Sequence, residues 1–244
     1  MSLRIVDALK TGANRLVSRA GAAVTVGYLL LYAVYQAGYN VLLNALYVRL
    51  GVAATVVEPI PLPVPVAAAI VAGCLFGLTY VSVVAIRTFV AGERDAIPRS
   101  FLTDGVGWAV LNLFVGGVVT MLLFAVGFVL LVVPGLFLLV SFAFMAMYVA
   151  VDGENFVTGL RRSWGLARGD RLRIFGLVAV VALLGFAVGA GFGVLSTVAT
   201  LAGVEAVIPL AIALVTAPVT MYNLAVLAAA FEQLRGSPAA EPAI

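Results

Sequence analysis

The feature that most constrains the fold is a run from Gly105 to Val151 that contains no charged side chain. As a single helix this run would be about 70 Å long, because an α-helix rises about 1.5 Å per residue. The hydrocarbon core of a bilayer is only about 30 Å thick, and a helix of roughly 20 residues crosses it. In a membrane, the run therefore has to fold back on itself.

The composition indicates that lipid surrounds most of the chain. Of the 244 residues, 64% are hydrophobic and 10% are charged, and the mean hydropathy is +1.19. A soluble domain has about 45–50% apolar and about 25% charged residues. A water-soluble fold of this size has too much surface for its volume to hide so much apolar side chain.

Pro134 and Gly135 interrupt the long run and predict its turn. Proline lacks an amide donor and disfavours helix at the residue before it, and glycine permits the turn that follows. We expect these two residues to form the tip of a tight helical hairpin near the membrane surface, where unpaired backbone groups meet water. The alternative is a proline kink within one long helix. The hairpin predicts six spans, at residues 22–47, 65–87, 107–132, 136–151, 174–200 and 206–231.

The basic residues predict the orientation of these spans. With six spans, one side of the membrane carries thirteen of the fourteen Lys and Arg residues, and the other side carries only Arg49. Positive residues are enriched in cytoplasmic loops, so both termini are expected in the cytoplasm. The preference for Arg over Lys suggests a prokaryote with a GC-rich genome, and hence a multi-pass protein of its cell membrane. The net charge of +3 then follows the inner membrane edge and does not indicate nucleic-acid binding.

Three polar segments suggest a repeat. Residues 2–20 and 155–168 place apolar side chains at helical spacing with basic residues on the other face, which is typical of interfacial helices. Residues 96–108 are a shorter version, and each segment leads into a pair of spans. The predicted fold is therefore an all-α polytopic membrane protein with six transmembrane helices and cytoplasmic amphipathic helices, with three helix–hairpin repeats as a further hypothesis. Residues 1–235 form one transmembrane domain, and 236–244 a disordered tail.

Two sets of residues within the spans allow alternative interpretations. Gly185, Gly189 and Gly193 form a GxxxGxxxG stripe, which is expected either to pack against another helix of the chain or to form a homodimer. The amides Gln36, Asn40 and Asn44 follow one face of the first span. They either hydrogen bond between helices or line a path for a small uncharged ligand, a lipid headgroup or water.

The sequence lacks residue types on which catalysis and ion transport commonly depend. The sequence has no His, and no predicted span has a charged residue in its interior. Proton relays, ion sites, HExxH metal sites and Ser-His nucleophiles depend on such residues. We therefore expect no enzyme activity, no metal and no cofactor.

The stretch from Val133 to Leu177 resembles a known pattern. It contains "VPGLFLL", then Asp152 and Glu154, then "LRRSWGLARGDRLR" before the next span. This resembles the membrane domain attached to some glycerophosphodiester phosphodiesterases, YciC-like proteins and haloarchaeal relatives. The resemblance implies a membrane domain without an established reaction. The sequence lacks the proline that a common variant places before the acidic pair.

The loop in this stretch carries the densest basic patch of the chain. It contains Arg161, Arg162, Arg168, Arg171 and Arg173 with Trp164 as an interfacial anchor. Anionic lipid headgroups are the partner expected, at about 1 kcal/mol per basic residue. The alternative is that these arginines set the topology and pair with Asp152, Glu154 and Asp170.

The sequence favours a non-catalytic membrane protein that organises lipid, or an unidentified protein partner, at the inner leaflet. The second hypothesis is a facilitative permease or lipid transporter that uses the amide face of the first span. A cavity lined by Gln36, Asn40 and Asn44 would favour the second hypothesis.

Overall fold

The computed structural model describes residues 3–51, 61–130, 132–204 and 208–236. This part of the chain forms ten α-helices, which confirms the all-α prediction. The helices are α1 Ile5–Leu16, α2 Arg19–Leu50, α3 Val64–Ala91, α4 Arg99–Thr103, α5 Val106–Leu130, α6 Val132–Phe142, α7 Met145–Asp152, α8 Phe156–Ala167, α9 Arg171–Leu201 and α10 Ile208–Arg235. Apart from Gly236, the predicted tail lies outside the described residues.

Six segments are long and apolar enough to cross a membrane, as the sequence predicts. They are α2, α3, α5, α6 together with α7, α9 and α10. Several helices continue beyond the apolar runs because polar and basic residues such as Arg19 and Arg171 also form helix at the ends. The chain is therefore a multi-pass membrane protein.

The long apolar run folds back between α5 and α6. A Cβ built on Gly127 would lie 3.0 Å from the Cα of Gly135. In one continuous helix these residues would be about 12 Å apart, which excludes the proline kink. The prediction that Pro134 and Gly135 form the tip needs correction, because both lie in the first turn of α6. Proline is tolerated there since the first amides of a helix have no partner within it.

The predicted span over residues 136–151 also needs correction, because it is two helices that begin earlier, at Val132. The helix breaks at Ala143–Phe144, and the side chain of Ser163 in α8 fills the break. Its hydroxyl donates to the carbonyl oxygen of Ser141 at 2.8 Å and accepts from the amide of Phe144 at 3.1 Å. A buried break would leave backbone groups unpaired, and Ser163 supplies the missing partners.

The short helices pack closely on the spans through small residues. Helix α1 lies on α10 with Ala8 and Gly12 buried, and a Cβ on Gly12 would meet a methyl carbon of Val226 at 2.5 Å. Helix α8 lies on α6 and α7 with Gly159, Ser163 and Ala167 buried. Only small side chains allow two helices to approach this closely.

The three predicted helix–hairpin repeats contact one another in a ring. Helix α4 packs on α3, α8 packs on α6–α7, and α1 packs on α10. Each short helix therefore lies on the last span of the preceding repeat, with the third repeat preceding the first. This pattern favours the threefold repeat, which remains a hypothesis.

The core lies where α3, α7 and α10 meet. Its largest buried side chains include Phe89, Phe144 and Phe231, and the ring of Tyr148 meets that of Phe231 edge-on at 5.0 Å. Helices α2, α5 and α9 are less buried. Helix α9 is the least enclosed span. In its most apolar stretch of 18 residues 11% are buried, against 50% in the corresponding stretch of α6 with α7.

Candidate functional site

A groove of about 430 Å³ lies between α9 and the rest of the bundle. Its walls come from α5, α6, α9 and α10, and Thr120, Gly185 and Asn223 each lie near the middle of their helices. Ala182 in the α9 wall is exposed, so the groove is open to the outside of the bundle. The groove is lined by Thr120, Phe124, Leu139, Phe142, Ala143, Leu177, Val178, Val181, Ala182, Gly185, Asn223 and Leu227.

The groove exists because α9 contacts the bundle mainly through its first half. Ile174 and Leu177 are the buried residues of this helix among those the structure describes. Beyond them, Ala182 and Gly185 present too little side chain to fill the space beside α5 and α6. The small residues thus leave a gap of a size typical of ligand sites, which are about 300–1,000 Å³.

The glycine stripe does not make the contacts within the chain that the sequence allowed. A Cβ added to Gly185, Gly189 or Gly193 would meet no atom within 4 Å. Of the three, Gly185 lines the groove. The stripe is therefore open within the described part of the chain, and the homodimer alternative remains a hypothesis.

Two polar side chains line the groove, and their hydrogen bonding differs. The Thr120 hydroxyl donates to the Gly116 carbonyl oxygen in its own helix at 2.6 Å, so its hydrogen is already used. The Asn223 side chain has no hydrogen bond to any residue in the described ranges. An amide without a partner in an apolar environment is costly, so Asn223 would gain from a polar group on a ligand.

The other predicted amides lie elsewhere. Gln36 is buried, Asn40 and Asn44 are partly buried, and none of the three lines the groove beside α9. Among the described residues, none of their side chains finds a hydrogen-bond partner. Asn112 does serve as a bridge between helices, because its carbonyl oxygen accepts from the Phe156 amide at the start of α8 at 3.1 Å.

The fold gives the arginines of the predicted basic patch different partners. Arg162 pairs with Glu154 at 3.0 Å and with Asp152 at 3.5 Å, and Arg173 pairs with Asp170 at 2.7 Å. These pairs follow the alternative in which the arginines bind acidic neighbours of the same chain. Such partly exposed pairs each contribute about 0–1 kcal/mol.

Arg171 and Trp164 pack together instead of facing outward. The Arg171 guanidinium lies 4.5 Å from the ring centroid of Phe137 and 4.8 Å from that of Trp164. The Trp164 ring also contacts Phe142 at 5.9 Å, next to the groove. Of the predicted patch, Arg161 and Arg168 are exposed and form no ion pair with a described residue.

Sequence reasoning missed the groove, although two of its residues carried a signal. Asn223 is an amide within an apolar span, and Gly185 belongs to the glycine stripe. Apart from Thr120, the other lining residues are ordinary apolar side chains such as Val178 and Leu139, which no pattern distinguishes from lipid-facing ones.

A search of curated proteins found no match, and neither did a search of solved structures. The resemblance to YciC-like proteins and to the phosphodiesterase membrane domain therefore stays a prediction. One family model, described as a domain of unknown function (DUF7847), matches residues 3–234 and so covers nearly the whole chain. The chain belongs to this DUF7847 family.

Proposed function

We propose that this protein is a non-catalytic membrane protein that holds a lipid acyl chain in the groove beside α9 and so organises lipid around itself. The observation that carries the proposal is the open, largely apolar groove of about 430 Å³. In a membrane, lipid chains are the molecules present at every such opening. An unfilled gap would deprive its walls of van der Waals contacts, which a chain restores.

The apolar walls alone give little selectivity. A lipid chain is as well solvated by the bilayer as by Leu139 or Val178, so binding depends on close packing and polar contacts. Asn223 is the side chain in the groove whose amide has no hydrogen-bond partner among the described residues, so it can bond a hydroxyl or carbonyl group carried on a lipid chain. We therefore expect Asn223 to select lipids that carry such a group within reach of their chains.

The pairing of the acidic residues supports a role without catalysis. Asp152 and Glu154 bind Arg162, and Asp170 binds Arg173. These three carboxylates are thus already engaged by guanidinium groups of the same chain. The proposal contains no chemical step.

Retention of lipid by the purified protein tests the proposal. Gly185→Leu fills the groove from its α9 wall. Gly189→Leu is the matched control one turn further along, because an added Cβ meets nothing within 4 Å at either position but only Gly185 lines the groove. After extraction in mild detergent, native mass spectrometry should show several-fold less bound lipid for Gly185→Leu than for Gly189→Leu. Equal retention by the two variants would rule out the groove as the binding site.

A second variant tests the selectivity. Asn223→Leu keeps the branched shape of the side chain and removes the amide, so it is expected to retain lipid chains but to lose the preference for lipids with hydroxyl or carbonyl groups on the chain. An unchanged lipid profile would show that Asn223 plays no part in recognition.

We further propose that the protein lies in a prokaryotic cell membrane with both termini in the cytoplasm. The support is the asymmetry of the basic residues. In a Cys74→Ala background, a cysteine at Arg94 or Arg168 should be protected from an impermeant maleimide in intact cells, and one at Arg49 should be labelled. All three positions are exposed. Labelling of either of the first two would contradict this orientation.

A further inference from the structure

A second cavity, of about 370 Å³, lies where α3 ends, between that helix, α4 and α7. Its polar lining is formed by Arg87, Ser100 and Asp104, and Val90, Phe101 and Val151 contribute apolar walls. It is separate from the groove beside α9, with which it shares no residue. Because the apolar spans end here, the cavity lies at the level expected for lipid headgroups.

Arg87 is held firmly in this cavity by backbone carbonyls. Its Nε donates to the Ala150 carbonyl oxygen at 2.7 Å, and its Nη1 donates to those of Phe101 at 3.2 Å and Asp104 at 2.9 Å. These carbonyls lie at the C-terminal ends of α7 and α4, where helical carbonyls lack partners and a cation is favourable. Arg87 thereby ties two helix ends to α3.

These bonds leave one side of the guanidinium available. Nη2 carries two of the five N–H donors of an arginine, and it bonds to no residue in the described ranges. Nη2 is therefore a charged donor for a phosphate oxygen, and it acts through one nitrogen because the Nε and Nη1 donors are already used. The ordering cost is reduced since Arg87 is already positioned.

Asp104 restricts which phosphate the cavity accepts. Asp104 lines the cavity, and its carboxylate accepts a hydrogen bond from the Thr103 hydroxyl at 2.8 Å. A second negative charge on the ligand would be repelled by this carboxylate, so a phosphodiester with one charge is favoured over a phosphomonoester with nearly two. Ser100 and the ring of Phe101 are available to the glycerol part.

We propose that this cavity binds the phosphodiester group of a membrane phospholipid, with a phosphate oxygen on Arg87. The proposal goes beyond lipid-chain binding beside α9, because it assigns a headgroup site on different helices. Its ligand is recognised by charge and hydrogen bonding, not by shape of the acyl chain.

The test uses the full chain in detergent, in a Gly185→Leu background so that the groove beside α9 is filled. Native mass spectrometry measures binding of phosphatidylglycerol, of phosphatidic acid and of inorganic phosphate. We expect binding of phosphatidylglycerol several-fold tighter than that of phosphatidic acid. Ser100→Phe, at an exposed position in the cavity wall, should weaken phosphatidylglycerol binding about tenfold. Ala96→Phe, at an exposed position outside the cavity, should bind like the parent.

Asp104→Asn provides the test of charge selection. Removing the carboxylate should reduce the preference for phosphatidylglycerol over phosphatidic acid without loss of total binding. Equal binding by Ser100→Phe and Ala96→Phe would overturn the site, and an unchanged preference in Asp104→Asn would overturn the role of the carboxylate. Displacement of phosphatidylglycerol by millimolar inorganic phosphate would instead assign the cavity to free phosphate and overturn the lipid proposal.

Discussion

The Ser163 side chain offers the sharpest test of the packing that shapes this protein. It is fully buried in the break between α6 and α7, where it donates to the Ser141 carbonyl oxygen and accepts from the Phe144 amide. Ser163→Ala leaves both backbone groups without their partner. The cavity created is small, because only an oxygen atom is removed, so the hydrogen bonds dominate the cost.

The magnitude follows from the two hydrogen bonds. Leaving one buried backbone group unpaired costs about 1–3 kcal/mol. Side-chain hydrogen bonds in membrane proteins average only about 0.6 kcal/mol, because the unfolded chain in the membrane also finds partners. Both groups together are therefore expected to cost about 1–3 kcal/mol of unfolding free energy.

The assay is unfolding by titration of a denaturing detergent into protein held in a mild one. Trp164 contacts Phe137 and Phe142 at the break, so in a Trp108→Phe background its fluorescence reports this region, and circular dichroism reports the helix content. Ser196→Ala is the matched control, because that residue is only partly buried and its hydroxyl bonds the Gly193 carbonyl oxygen of its own helix. The control should change stability by less than about 0.5 kcal/mol. Equal effects of the two variants would refute the bridging role of Ser163.

Two further predictions concern close packing and ion pairs. Gly12→Ala should cost about 1–3 kcal/mol, because its Cβ would lie 2.9 Å from a backbone nitrogen of α10, which cannot move aside. Gly189→Ala, with no atom within 4 Å of the added Cβ, should not destabilise the protein in the same detergent titration, and equal losses would argue against the α1–α10 contact. Asp152→Asn should cost more than Glu154→Gln, since Asp152 pairs with two described arginines and Glu154 with one. The difference should be below about 1 kcal/mol and should shrink in high salt, and a larger loss for Glu154→Gln would contradict the pairing.

Several features of the fold could be predicted from local sequence. The six spans follow from apolar runs whose lengths match a bilayer, and the fold-back follows from a run too long to cross it once. The position of the turn was missed by a few residues, because proline and glycine are equally compatible with a turn and with the first turn of the next helix. The local conformational preferences of these residues therefore predicted that the chain reverses direction, but not the residue at which α6 begins.

The candidate site was predicted only in part. Asn223 was recognisable as an amide among apolar residues, and Gly185 as part of a glycine stripe. The sequence could not show that this stripe would lie open beside a groove, since glycine allows close contact but does not require it. The break filled by Ser163 was also unpredicted, because its partners come from other helices.

Some features of this protein follow from the sequence and others only from the tertiary structure, for a physical reason. Whether a segment enters lipid depends on the sum of its own side-chain transfer energies, which can be read along the chain. Which faces of those segments touch depends on shapes and polar groups that meet across the bundle, as Arg87 meets the carbonyls of α7 and α4. The number of spans and the basic side of the membrane are therefore evident from the residues in order. The groove beside α9 and the Arg87 cavity exist only through the packing of several helices.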